Sequence, residues 1–286
     1  MFFEALSYVV AFCVYLKLRR RFGDPVVTPL RWAAVAAAVA GAALGSKLLF
    51  WLEDPHLTLD NLHNPAYFVG GKTIVGALAG GLITVELMKR YIGLRTSTGD
   101  LYAIPLAVGI AIGRIGCFLT GLSDNTYGTA TSLPWGIDFG DGIRRHPTQL
   151  YEIVFLLALI PFLYRALKRT VILSGVYEER SGAAVATKDP APADTTTAAT
   201  GTPPGSVKVQ LGPRISGLGT RPGDAFKLFM VAYMFFRLLA DFIKPYPRVF
   251  LGLGGIQWAC VLLLLYYASD IARWLRPRNA REATAG

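Results

Sequence analysis

The chain has 286 residues, 53% of them hydrophobic and only 17% charged, against about 25% charged residues in a soluble domain; the composition excludes an ordinary soluble globular protein. The net charge of +10 comes from short basic clusters between apolar blocks, the pattern that membrane topology demands, so no nucleic-acid partner is expected. Cys13, Cys117 and Cys260 each lie inside an apolar block and have neither disulfide nor metal-ligand spacing, so no metal or cofactor is expected.

In chain order, seven blocks match the length needed to cross a ~30 Å hydrocarbon layer. They are Phe2–Leu18, Trp32–Leu52, Thr73–Met88, Leu101–Leu122, Gln149–Leu167, Phe226–Phe242 and Phe250–Trp274. The first block has no basic n-region or small-residue cleavage site and is expected to be retained. The expected fold is all-α: a single polytopic membrane domain, 1–286, with seven transmembrane helices. The loops orient it. Lys17, Arg19, Arg20, Arg21 and Arg31 stand at and beyond the end of the first block, and Glu53, Asp54 and Asp60 beyond the second. Lys89, Arg90 and Arg95 follow the third; Asp124, Asp138 and Asp141, with Arg144 and Arg145, the fourth; Arg165, Lys168 and Arg169 the fifth. Arg273, Arg276, Arg278 and Arg281 close the chain. This alternation puts the N-terminus outside and the C-terminus in the cytoplasm.

Residues 170–222 read as a cytoplasmic insertion. Its centre, 181–205, is rich in Ala, Thr, Pro and Gly and is expected to be disordered. Gly41 and Gly45, Gly76 and Gly80, and Gly109 and Gly113 form small-xxx-small pairs that allow close helix packing in lipid.

Ionisable residues inside apolar blocks cost at least ~2.5–3.5 kcal/mol at a helix centre, so each needs a reason. Lys47 and Glu86 lie near span ends, where they can reach the headgroups. Arg114, Glu152, Arg237 and Asp241 lie deeper, toward the outer half of the membrane in this topology. Arg237 and Asp241 share a helix face at i,i+4. Together the four residues predict a common polar cavity. Two arginines there suit an anion, because the planar guanidinium fork pairs two oxygens of a phosphate. In the outer leaflet that anion is a phospholipid phosphate.

Several motifs then resemble the prolipoprotein diacylglyceryl transferase family. Arg145-His146-Pro147-Thr148-Gln149-Leu150-Tyr151-Glu152 is similar to its H-P-[ST]-Q-L-Y-E stretch, and Gly113-Arg114-Ile115-Gly116-Cys117-Phe118 to its G-R-x-x-N-F signature. Gly70–Gly76 stands where its G-G-x-S-x-H-G motif falls. Tyr233 with Arg237–Phe242 looks like its Y-x-x-x-R…E-F segment. The resemblance implies seven spans in a bacterial inner membrane and transfer of a diacylglyceryl group from phosphatidylglycerol to the lipobox cysteine of a prolipoprotein signal peptide. It implies that Arg114 holds the lipid phosphate and that Arg237, oriented by Asp241, stabilises the leaving glycerol phosphate. Glu152, Gln149 and Tyr233 would shape the pocket, and Gly128 resembles the glycine ending the family's loop motif. The family's third-span histidine is Val75 here, its asparagine is Cys117, its sixth-span glutamate is Asp241, and Asp124 or Asn125 stands nearest its loop glutamate. With Val75 in place of histidine, His146 becomes the candidate base, since imidazole titrates near neutral pH. Two alternatives stay open: a relative that uses the same donor with another acceptor, and a phospholipid-binding or transport protein on the same helices. The chain shows no second copy of 113–118 or 146–152, as inverted-repeat transporters would.

Overall fold

Backbone polar groups in hydrocarbon must be satisfied within their own segment, which makes each long apolar block a helix. In the computed structural model, which describes residues 2–23, 28–94, 97–186, 221–248 and 250–275, the chain runs through α1 (Phe2–Phe22), α2 (Thr28–Glu53), two short helices α3 (Pro55–Asp60) and α4 (Pro65–Val69), then α5 (Ile74–Tyr91) and α6 (Asp100–Thr120). A small antiparallel pair, β1 (Ile137–Asp138) with β2 (Arg144–Arg145), precedes α7 (Thr148–Ala186), α8 (Asp224–Ala240), α9 (Gly255–Tyr266) and α10 (Ala268–Leu275).

Three segments, Leu30–Glu53, Asp100–Asp124 and Thr148–Val171, are each long and apolar enough to cross a membrane; α9 and α10, bent by 58°, make a fourth if taken as one broken span. The other three expected spans do not meet that test: α1 carries Glu4, Lys17, Arg19, Arg20 and Arg21 among its 21 residues, α8 has 17 residues, and the 18 of α5 include Glu86, Lys89 and Arg90. Large apolar side chains point outward along the bundle, among them Val39, Leu44, Ile83, Leu119, Val154, Phe235 and Leu262. Water does not tolerate an apolar exterior of this extent, and lipid does. Helix α7 runs well past Leu167, through Ala186, and so takes in the first six residues of the stretch expected to be disordered; the rest of that stretch, 187–205, lies outside the described residues.

Between α2 and α5 the glycines act as the sequence suggests. A methyl group added at Gly80 would overlap the Gly41 carbonyl, and one at Gly45 would overlap the Gly76 carbonyl. The close approach lets Thr84 Oγ1 on α5 donate to the Ala37 carbonyl of α2 at 2.7 Å. Gly80→Val is therefore expected to force these helices apart and to lower the thermal midpoint in detergent, at a cost of about 1–3 kcal/mol; an unchanged midpoint would mean the helices are not held by this contact. Gly109 meets Ala11 and Ser7 of α1, whereas Gly113 faces open space, so that pair packs at one glycine only. Lys47 also differs from expectation. Its ammonium does not reach for a headgroup but donates to the carbonyls of Val69, Gly70 and Gly71, which tether α4 to α2.

The core lies where α6, α7, α8 and α9 meet, around Ala103, Ala107, Leu156, Leu163, Phe229, Met230, Tyr233 and Cys260. Phe155 of α7 stacks on Phe236 of α8 at 4.4 Å. At one end of the bundle Asp100 caps α8, accepting from the amides of Gly223, Ala225 and Phe226. Gly223 sits at φ +96°, a conformation that favours glycine. Arg273 of α10 pairs with Asp224 at that end, and Lys227 with Asp270 at 2.8 Å. These contacts fix the register of α8 against α6 and so set what its other end presents.

Candidate active site

At that other end, the last turns of α6 and α8 meet the first turn of α7. Glu152, one turn into α7, is 2% exposed. Its Oε2 lies 2.9 Å from Arg114 Nε and 3.4 Å from Arg237 Nη1, and its Oε1 accepts from the Tyr233 hydroxyl at 2.6 Å. Arg237 turns its Nη2 to Asp241 Oδ1 at 3.0 Å, the i,i+4 pair expected on one face of α8. Arg114, Glu152, Tyr233, Arg237 and Asp241 are thus one buried network drawn from three helices. Charges so far from water are tolerated only when paired.

Among the described residues, Arg237 Nε and Asp241 Oδ2 of the network have no hydrogen-bond partner, and nor does either amide atom of Gln149, which lies three residues before Glu152 on α7. Gln149 is 1% exposed. Buried polar groups are normally satisfied, so this is where a polar substrate group would be received.

The structure adds a residue absent from the sequence reading. Lys244 follows a short turn, Asp241–Ile243, and its side chain is 2% exposed with Nζ 3.6 Å from Asp241 Oδ1. Its Nζ lies 5.5 Å from the ring centre of Tyr246. Burial, followed by the Arg237 guanidinium, pushes Lys244 down to about 7, Asp241 opposing. Burial likewise pushes the Tyr246 phenol up to about 12. A lysine just past a span reads in sequence as a headgroup anchor; its i+3 spacing from Asp241 was the available signal.

The other predicted site residues form a second group, in the loop between α6 and α7. His146 Nδ1 lies 3.2 Å from the Tyr151 hydroxyl, and its backbone amide donates to the Thr129 carbonyl at 3.1 Å while its carbonyl accepts from Gly128. A Cβ at Gly128 would come within 2.6 Å of His146 Cβ. The Thr129 amide donates to the Ile243 carbonyl at 2.8 Å, which ties this loop to the turn before Lys244. The imidazole therefore meets Tyr151, and no described contact joins it to the Glu152 network. Asp124 accepts from Thr126 and interacts with the Cys117 thiol. That thiol is 3.7 Å from Arg114 Nη1, so Asp124 stands at the network's edge. In the exposed hairpin beyond, Arg145 pairs with Asp141 at 2.6 Å and holds that carboxyl below its usual range. Val75, at the position of the family's histidine, is 1% exposed core. Among the described residues no three His, Cys, Asp or Glu side chains converge as metal ligands.

His146→Ala is expected to keep activity within about tenfold of the parent and to leave the pH dependence in place, since a general base is worth about 10²–10⁴-fold. A loss in that range, with a flattened pH profile, would restore the imidazole as base.

The family model described as prolipoprotein diacylglyceryl transferase matches residues 2–182. The chain belongs to the prolipoprotein diacylglyceryl transferase family. Similar relatives include proteins named phosphatidylglycerol–prolipoprotein diacylglyceryl transferase. That of Polynucleobacter asymbioticus is 26% identical over 282 residues, covering 91% of this chain and 86% of the relative. That of Solidesulfovibrio magneticus is 36% identical over 152 residues, 50% of this chain and 56% of the relative. That of Wolbachia pipientis from Culex pipiens is 32% identical over 146 residues, 49% of this chain and 52% of the relative. The chain thus spans about half the length of the last two. The family match includes Arg114 and Glu152; Tyr233, Arg237 and Asp241 lie beyond residue 182 and join the site through α8.

Proposed function

We propose that this protein transfers the diacylglyceryl group of phosphatidylglycerol to the lipobox cysteine thiol of prolipoprotein signal peptides. One observation carries the reading: a carboxylate, Glu152, bridges two buried guanidinium groups on different helices of an apolar bundle, beside the unpartnered Gln149 amide. Such a network receives a phosphate that arrives from lipid.

The acceptor thiolate attacks the glyceryl carbon, a C–S bond forms, and the C–O bond to phosphate breaks with its electron pair on the phosphate oxygen. Charge thus builds on the departing glycerol phosphate, and preorganised donors aimed at it lower the barrier. Arg114 holds the phosphate of the bound lipid. Arg237, oriented by Asp241, neutralises the leaving group. Glu152 and Tyr233 hold both arginines in place, and Gln149 contributes donors to the pocket. Asp124 borders the pocket, while Gly128 and His146 fix the loop that closes it. The apolar walls exclude water and limit hydrolysis.

The domain is a single seven-span bundle in the bacterial inner membrane, its N-terminus outside, its C-terminus cytoplasmic and 170–222 a cytoplasmic insertion. The alternation of basic and acidic loops supports this orientation, which sets the Glu152 network in the outer half of the membrane. Expression in a strain depleted of its own diacylglyceryl transferase tests donor, acceptor and topology together: restored growth supports the reading, and continued arrest with the protein present in the membrane contradicts it.

A further inference from the structure

A thiol has a pKa near 8.5 and must lose its proton before it attacks. Within the network Arg114 and Arg237 are matched by Glu152 and Asp241. Neither guanidinium can accept a proton, because both stay charged at any working pH. Lys244 is the remaining basic side chain of the cluster. It is buried and 3.6 Å from Asp241 Oδ1, an oxygen that already accepts from Arg237 at 3.0 Å. A third cation would leave uncompensated charge in a water-poor site. The charged and titratable groups facing Lys244 are Arg237 and Asp241 from α8 and its following turn, Arg114 from α6, Glu152 from α7, Tyr246 from its own loop and Glu53 from the end of α2. Glu53 directs its carboxylate to the Ile256 amide at the start of α9.

We propose that Lys244, as a neutral amine, is the base that takes the proton of the acceptor thiol and returns it to the departing phosphate. The proposal rests on the diacylglyceryl-transfer reading. The S–H proton moves to Nζ, leaving a thiolate and an ammonium. The thiolate forms the C–S bond as the C–O bond breaks, and the ammonium meets the new charge on the phosphate. It then gives up its proton to the phosphate monoester, whose second pKa is near 6, and glycerol phosphate leaves as a monoanion. Charge and protons balance: one thiol and one phosphodiester monoanion give a thioether and a phosphomonoester monoanion. The tie between Thr129 and the Ile243 carbonyl holds Lys244 against the α6–α7 loop, where a peptide approaching from outside would arrive.

The test uses the full-length protein in phosphatidylglycerol nanodiscs with two lipobox peptides, one carrying cysteine and one carrying selenocysteine, whose selenol is already ionised at neutral pH. For the cysteine peptide kcat/KM should rise with pH and level off above about 7, where the free amine predominates. The selenocysteine peptide should lack that rise. Lys244→Arg keeps the charge but cannot accept a proton; it should lower the cysteine rate by about 10²–10³-fold and the selenocysteine rate by less than about tenfold. In that variant the remaining cysteine rate should climb toward the thiol's own pKa of about 8.5. Full cysteine activity in Lys244→Arg, or equal losses on both peptides, overturns the proposal. So does a parent profile that rises to about 8.5, and this last measurement needs no variant. No product from either peptide overturns the transfer reading itself, and this proposal with it.

Discussion

Glu152→Ala is expected to destabilise the protein by about 3–5 kcal/mol and to abolish transfer, the range for breaking a buried ion pair by removing one partner. The carboxylate is the shared counter-ion of Arg114 and Arg237 and the acceptor of the Tyr233 hydroxyl, so one substitution strands the Arg114 guanidinium and a phenol and leaves Arg237 with Asp241 alone. Glu152→Gln separates the two contributions: the amide oxygen can still accept from Tyr233, but the charge is gone. It should unfold at a temperature between parent and alanine variant. Thermal unfolding in detergent is the measurement; an alanine variant with the parent midpoint would mean that the arginines find other partners and that Glu152 is not the centre of the network.

The arginines themselves should behave differently. Arg114→Ala and Arg237→Ala are each expected to reduce transfer by about 10²–10³-fold, the scale for removing one preorganised donor to a developing anion, while leaving the protein folded. The fold survives because each deletion leaves Glu152 with the other arginine, and loss of Arg237 leaves Asp241 with Lys244. On the proposed roles, loss of Arg114, as the phosphate holder, should weaken lipid saturation as well as turnover; loss of Arg237, as the group that meets charge only when the leaving group departs, should fall mainly on kcat. Arginine-to-lysine changes should not restore either function, since a point charge cannot reproduce the bidentate fork. Full activity in a folded alanine variant would remove that arginine from the phosphate clamp.

Much of this site was legible because the membrane makes misplaced charge conspicuous. Arg114, Glu152, Arg237 and Asp241 stood out against apolar blocks, and the network joins all four. Tyr233 came from the family resemblance and donates to Glu152; Gln149, from the same resemblance, is buried three residues before Glu152 on α7. Lys244 was missed because a lysine just past a helix end is ordinarily solvated, and only the turn Asp241–Ile243 folds it inward. The contacts of His146, through its ring to Tyr151 and through its backbone to Thr129, could not be read from spacing along one chain. The same holds for long-range caps such as Asp100 on α8 and Glu53 on α9. The helices themselves followed from apolar length, although the short α3 and α4 and the extension of α7 to Ala186 did not, since none needs a membrane-length apolar run.

The central claim is that this bundle joins a lipid-derived diacylglyceryl group to a peptide thiol. Incubating the purified protein with phosphatidylglycerol and a lipobox peptide, and weighing the peptide by mass spectrometry, tests it most directly. One diacylglyceryl group should add through a thioether with release of an equal amount of glycerol phosphate, and neither should form when the cysteine is replaced by serine. An unmodified peptide alongside folded, lipid-loaded protein would contradict it.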